Sequence, residues 1–271
     1  MYLLLSMDAL SQLLGTTLLL VAHPDDEVIA AGALMQRMKK PIVVFATDGA
    51  PRDEFFWRQY GSRENYAEVR RKEAVEALRV VGAEPIFLWS HVTGGIVDQE
   101  LFLRLSVAVL AFEKIIAQTR PDSLLTIAYE GGHPDHDAAC FIASQIGKRE
   151  RIPVWEFPLY HRDANGEAVV QAFPNPDGSE VQSAVDSEPL QRKLAMARAY
   201  ESQKGVVESF HPEMEVFRPL GSYDFSQPPL PWKLNYEYWQ WNMTGQSVTA
   251  EFASYLELRA PQFKQARSET V

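Results

Sequence analysis

From Thr16 to Phe157 the sequence alternates short apolar runs with stretches of helical spacing, and this alternation constrains the fold more than any other feature. Thr16–Ala22 (TTLLLVA) and Ile42–Ala46 (IVVFA) are continuous apolar runs of the kind shown by a strand buried on both faces. Pro85–Trp89, Leu124–Ala128 and Val154–Phe157 read as three further strands. Between them, Glu27–Met38, Ser62–Val81, Gln99–Gln118 and His136–Gly147 read as helices. The first runs out at Lys39-Lys40-Pro41 and the second stops at Gly82, both suited to helix ends. Strands joined through helices need crossover connections, which predicts an α/β fold with a mostly parallel sheet.

After Pro158 the texture changes. Tyr160–Phe173 reads as a hairpin turning at Asn165-Gly166, a type I′ signal, and Glu188–Ser202 as a helix. Beyond Gly205, prolines and aromatics dominate (PPLPW at 228–232, NYEYWQW at 235–241), which predicts an irregular elaboration wrapped over the sheet. Met1–Gly15 reads as a short amphipathic helix. The expected organisation is one domain over residues 1–271, with its core at about 16–205 and a C-terminal extension at 206–271 packed on it.

Composition narrows the classes. A chain of 271 residues can bury a substantial core without staples. A net charge of -10 lacks the electrostatic footprint for phosphate backbones and argues against nucleic acid as a partner. One cysteine, Cys140, rules out an internal disulfide framework and fits a reducing compartment. No run reaches the roughly 20 apolar residues of a membrane span, so a cytoplasmic protein is expected.

Half of the six histidines fall in two segments, Val21-Ala-His-Pro-Asp-Asp-Glu27 after the first strand and Gly131-Gly-His-Pro-Asp-His-Asp137 after the fourth. In an open parallel sheet, ligands bind at the carboxyl ends of the strands near a switch in strand order, and both segments belong there. Imidazole and carboxylate are the usual non-thiolate ligands of Zn²⁺, and a catalytic site uses three protein ligands plus water. His23 and Asp26 lie on one turn, and His136 can complete a His₂Asp set. A water on such an ion has a pKa near about 7. Asp25 is placed to take its proton and pass it to a leaving group, and His133 to stabilise developing negative charge. That combination describes a metal-dependent hydrolase.

The motifs AHPDDE at 22–27 and HPDH at 133–136 resemble the signatures of the PIG-L (LmbE-like) family of zinc-dependent deacetylases of N-acetylated amino sugars. ATDG at 46–49, Arg70-Arg-Lys-Glu73 and Lys193…Tyr200-Glu-Ser-Gln203 fit the same layout, so the resemblance spans roughly residues 16–205. It implies a Rossmann-like three-layer sandwich, with His23, Asp26 and His136 as metal ligands, Asp25 as general base and later acid, and His133 as oxyanion helper. It implies Zn²⁺ as the cofactor, with Fe²⁺ or another divalent ion as the alternative. Arg70 matches a helix arginine that faces sugar or phosphate groups in some members. Several members carry a glutamate just after the TxG element, where this chain has Ala50-Pro51; Asp48, Asp53 or Glu54 are the candidate substitutes for binding sugar hydroxyls. The implied partner is a small N-acetylated sugar or glycoconjugate, and a homo-oligomer is allowed.

Plainer readings compete at each position. Asp25 or Asp26 can cap the following helix, and Asp135 can cap the helix at His136. Asp137 reads as a carboxylate behind the ligands or at the helix N-terminus, and Arg70 as part of a solvated charged face. His91, His161 and His211 read as surface or loop residues, and Cys140 as a small buried apolar residue. The aromatic stretch after 228 reads first as core packing or an oligomer contact, and second as a platform for a sugar ring. Two other functions are weighed: an amidase for another amide, such as a thiol conjugate or longer N-acyl chain, and a low-turnover sugar-binding protein. A dinucleotide oxidoreductase needs a glycine-rich turn where this chain has HPDDE.

Overall fold

The structure, a computed structural model, describes residues 9–268. Five parallel strands follow the expected succession: β1 (Thr16–Val21), β2 (Lys40–Phe45), β3 (Glu84–Phe87), β4 (Ser123–Ile127) and β5 (Val154–Phe157). β1 pairs with β2 on one side (Leu18 opposite Ile42) and with β4 on the other (Leu18 opposite Leu124). The strand order is therefore β3-β2-β1-β4-β5, and the chain reverses its direction of travel between β1 and β4. The carboxyl ends of those two strands are the crevice where such sheets bind ligands.

Alternate residues of the central strands face opposite layers, which gives the three-layer sandwich. Leu18, Leu20, Ile42 and Val44 pack with Phe112 on α3 (Leu105–Thr119) and Phe141 on α4 (Pro134–Glu150). Leu19, Val21, Val43 and Phe45 pack on the other face with Val28 of α1 (Asp26–Ala31), Leu78 of α2 (Arg63–Arg79) and Met196 of α5 (Ser187–Ala199).

The expected helix Glu27–Met38 is not continuous. α1 ends at Ala31 and a 3-10 turn occupies Leu34–Arg37. The cause is tertiary: the amides of Ala33 and Leu34 donate to the Glu215 carboxylate at 2.7 and 2.9 Å instead of continuing the helix. The hairpin also differs from expectation. β6 (Tyr160–Arg162) and β7 (Ala168–Val170) pair as foreseen, but in the turn only Gly166 has positive φ, and a type I′ turn requires two such residues. Asp163 organises the turn instead, its carbonyl accepting from Gly166 N and its side chain from Asn165 N and Glu167 N.

The C-terminal part is more regular than its composition suggests. β8 (Val181–Ala184) and β9 (Met214–Pro219) extend the sheet beyond β5 in antiparallel fashion. After the single turns α6 (Lys204–Val207) and α7 (Asn235–Tyr238), a long helix, α8 (Gly245–Ser268), closes the described chain. Phe252 of α8 stacks on Phe141 of α4 with ring centroids 4.6 Å apart, so this segment covers the core rather than standing apart. The helix expected over Met1–Gly15 lies mainly outside the described residues; a 3-10 turn at Ser11–Leu13 precedes β1. Among the described residues no helix is long and apolar enough to cross a membrane.

Candidate metal and catalytic site

The first turn leaves β1 at Val21 and enters α1 at Asp26. Asp25 stands at the N-cap with φ 123°, a region that costs a non-glycine residue about 1–3 kcal/mol, and its side chain makes no capping bond. The buried Arg70 guanidinium holds this conformation. It donates to Pro24 O at 2.5 Å, to Gly49 O at 2.7 Å and to Asp25 Oδ2 at 3.1 Å. Asp26 turns back to accept from His23 N at 2.8 Å. Neither carboxylate caps the helix, and Arg70 faces inward rather than lying on a solvated face.

The second turn is regular. His133 is the N-cap of α4 and its Nδ1 accepts from Asp135 N at 3.1 Å, with Pro134 in the first helical turn. Asp137 Oδ1 accepts from Glu130 N and Gly131 N at 3.3 and 3.0 Å, bracing the turn from behind as expected.

The two turns meet. His136 Nε2 lies 3.3 Å from His23 Nδ1 and 3.4 Å from Asp26 Oδ1, and His23 Nδ1 lies 3.6 Å from Asp26 Oδ2. Ligand atoms bonded at about 2.0–2.1 Å to a tetrahedral ion are separated by about 3.3–3.4 Å. The two nitrogens and one carboxylate therefore match the donor types and the mutual spacing of a Zn²⁺ site. The far side of His23 fits as well, because a metal-binding imidazole usually gives its other N–H to a carboxylate. His23 Nε2 lies 3.1 Å from Asp98 Oδ1 and 3.4 Å from Asp135 Oδ2. His23, His133 and His136 also form a buried group with ligand atoms close enough to share an ion.

Electrostatics separate the roles. Burial raises the Asp25 carboxyl to about 7, with Arg70 opposing and Asp26 and Asp98 reinforcing. Burial works against the Asp26 charge, but His136 and His23 hold its pKa at about 2. Burial and the His23 charge push His133 down to about 4, so its imidazole is neutral at pH 7. Because His133 Nδ1 accepts a hydrogen bond, its proton sits on Nε2, 3.4 Å from Asp98 Oδ1. His23 is raised, the carboxylates of Asp98, Asp135 and Asp26 outweighing the burial that opposes its charge. Asp98 is held well below the usual carboxylate range by His23 and His133, against its own burial.

The cluster opens into a cavity of about 680 Å³ that Asp25, Arg70 and Asp98 also line. Much of the remaining wall is apolar, from Ile29, Leu159, Val170, Phe210, Trp239 and Trp241. Asp48 is not part of this wall. Its carboxylate pairs with Arg63 and accepts from Ala50 N and Asp98 N at 3.1 and 3.3 Å, which fixes the loop behind the site. Asp53 is likewise committed, capping its own 3-10 turn through Phe55 N. In the late element, Tyr200 Oη bonds Glu27 Oε1 at 2.5 Å and Ser202 Oγ bonds Glu73 at 2.6 Å, tying α5 and the turn after it to α1 and α2.

Three placements were not foreseen. Asp98 sits in the centre of the site, in a loop after β3 whose only local signal is its position at the carboxyl edge of the sheet. Asp135 bonds Gln99 N and Leu101 N at 2.6 and 2.9 Å and so positions the Asp98 loop. His161, expected on the surface, is 4% exposed; it lines the cavity, with Nδ1 3.5 Å from Glu130 Oε2. His91 and His211 are exposed as expected, and Cys140 is buried on α4.

A doubly wound sheet with two His-Pro-Asp turns converging at its switch point is a recognisable class of α/β protein. Residues 18–146 match the model of the PIG-L family, described as GlcNAc-PI de-N-acetylase. Its fold is similar to that of the A40926 pseudoaglycone deacetylase Dbv21, at 22% identity and TM-score 0.58, covering 77% of this chain and 98% of that one. A deacetylase triple mutant (Orf2*T) of the teicoplanin biosynthetic pathway is similar at 21% identity and TM-score 0.59, with 77% and 98% covered. GalB, the 4-carboxy-2-hydroxymuconate hydratase of Pseudomonas putida KT2440, shares the fold at 17% identity and TM-score 0.51, with 77% and 97% covered. The fold thus serves more than one chemistry. No curated protein sequence matches the chain.

Proposed function

We propose that this protein is a metal-dependent hydrolase that removes the acetyl group from an N-acetylated amino sugar or its conjugate, releasing acetate and the free amine. The observation that carries this reading is the spacing of His23, Asp26 and His136, two imidazoles and a carboxylate from separate turns at tetrahedral-edge distances. These three would hold the ion, with Zn²⁺ favoured by donor type and Fe²⁺ or another divalent ion as the alternative. When bound, the ion supplies Lewis acidity that lowers the pKa of water toward about 7.

The remaining steps belong to the chain's own groups. Asp25, buried and raised to about 7, takes the proton of the attacking water and returns it to the departing amine, both transfers lying within the reach of a carboxyl so tuned. Arg70 fixes the orientation of that carboxylate. His133, neutral with its proton on Nε2, donates to the oxygen on which negative charge develops. The Asp98 and Asp135 carboxylates orient His23, and the Asp135 amide orients His133 through Nδ1. The apolar wall admits an acyl group longer than acetyl, so another amide is the competing substrate within the same chemistry; an intact Asp25 and ligand set argue against a purely binding role.

The test is acetate release from a panel of N-acetylated sugars and conjugates by metal-reconstituted protein, with a chelated control and Asp25→Ala. Release that requires both the metal and Asp25 supports the reading. Silence across the panel from protein that binds stoichiometric metal rules out the acetyl substrate class, and undiminished release by Asp25→Ala rules out the mechanism.

A further inference from the structure

The first two turns of α3 hold no charged residue, and they are apolar on both sides. Leu105, Ala108, Val109 and Phe112 are buried in the core. Leu103, Val107 and Leu110 form a second stripe at i, i+4 and i+7 on the other side, where they stay 54, 38 and 48% exposed. Across a groove of about 160 Å³ lies α8, whose Tyr255 turns into the core while Leu258 is 71% exposed. A helix apolar all round is ordinarily covered all round, yet among the described residues nothing covers this side of α3.

Area and charge together identify the cover. The four exposed side chains leave on the order of 400 Å² of hydrocarbon in water, and with a polar rim this approaches the roughly 800 Å² that each partner of a stable complex contributes. Arg104 stands on the α3 wall of the groove and Glu251 on the α8 wall. Arg104 Nη2 is anchored to Thr93 O at 2.9 Å, and neither charge has an ionic partner among the described residues. A groove with a cation on one wall and an anion on the other, beside an apolar stripe, complements itself under a two-fold rotation. That self-complementarity is what an isologous contact requires.

We propose that this face is a two-fold interface with a second copy of the chain. The α3 stripe of one protomer covers Leu258 of α8 in the other, and the reverse. Arg104 meets the partner's Glu251, once on each side of the axis. None of these residues lines the cavity of His23 and His136, so the inference stands apart from the reaction assigned to that cavity.

Analytical ultracentrifugation over a range of protein concentration tests it. Wild type is expected to dimerise with a Kd of about 10 µM or tighter, and Leu258→Asp to raise that Kd about tenfold or more. Arg104→Glu and Glu251→Arg each set like charges against each other in both contacts, and each should raise Kd about tenfold or more. An equimolar mixture of those two variants restores both opposite-charge pairs, and it should form a heterodimer of wild-type affinity. All three positions lie at the surface, and circular dichroism checks that the variants are folded. A wild type that stays monomeric at about 100 µM overturns the proposal, as does a dimer whose Kd none of the folded variants moves. A mixture no more associated than its two components overturns it as well. A monomer that instead binds phosphatidylcholine vesicles, and loses that binding in Leu258→Asp, gives the face to a lipid surface and overturns the second copy as its occupant.

Discussion

The same tripeptide, His-Pro-Asp, follows both β1 and β4, yet the two copies fold differently. At 23–25 the helix starts after the tripeptide, so its aspartate occupies the N-cap with φ 123° and its carboxylate faces the cavity. At 133–135 the helix starts inside it, so the histidine is the N-cap and the aspartate turns away to hold the amides of Gln99 and Leu101. The difference comes from partners distant in sequence. Arg70 clamps the first turn through Pro24 O and Gly49 O. The second rests on Gly132, whose missing side chain lets Tyr160 O approach to 2.0 Å from where a Cβ would lie. Equivalent letters give one aspartate that faces the cavity and another that holds the loop beside it.

This contrast can be broken at several points. The largest effect is expected for Asp25→Ala, which should cut kcat for amide hydrolysis by about 10²–10⁴-fold with little change in metal content, as loss of a general base does; acetate release with metal analysis checks it. If Asp135→Ala were equally inactive yet equally stable, the division of roles between the two aspartates would fail. Next comes Gly132→Ala, where the new methyl meets a backbone carbonyl, and urea unfolding should show a loss of about 2 kcal/mol or more. Asp135→Ala leaves two amides of the 99–101 loop without their acceptor and should cost about 1–3 kcal/mol in the same measurement, with a larger loss in kcat/KM than in metal affinity. The smallest effect has the opposite sign. Asp25→Gly relieves the backbone at φ 123° and should be about 1 kcal/mol more stable than Asp25→Ala, both lacking the Arg70 partner; a variant no more stable than Asp25→Ala would show that the turn stores no strain.

The sequence reading went furthest where information is local. The apolar runs at Leu18–Val21 and Val154–Phe157 and the glycine stop at Gly82 need only their neighbours, whereas the meeting of the two His-Pro-Asp turns follows from β1 and β4 being adjacent. It stopped where the determinant lies elsewhere in the chain. The break after Ala31 depends on Glu215, and the inward turn of His161 depends on Glu130. Asp98 has no spacing signature, because a loop residue at a strand end becomes a site residue only through the fold. Asp48 misled because its motif position is right while Arg63 and two amides occupy its oxygens.

The Glu215 carboxylate on β9 accepts from Ala33 and Leu34 just past α1 and pairs with Lys193 at 2.9 Å. Residues 18–146 are thus completed by an acid far downstream of them, and a chimaera joining this segment to a foreign tail would leave the amides of Ala33 and Leu34 buried without their acceptor. The last strand of the sheet is in this sense part of the interior of the first turn, and the two halves of the chain share one buried charge.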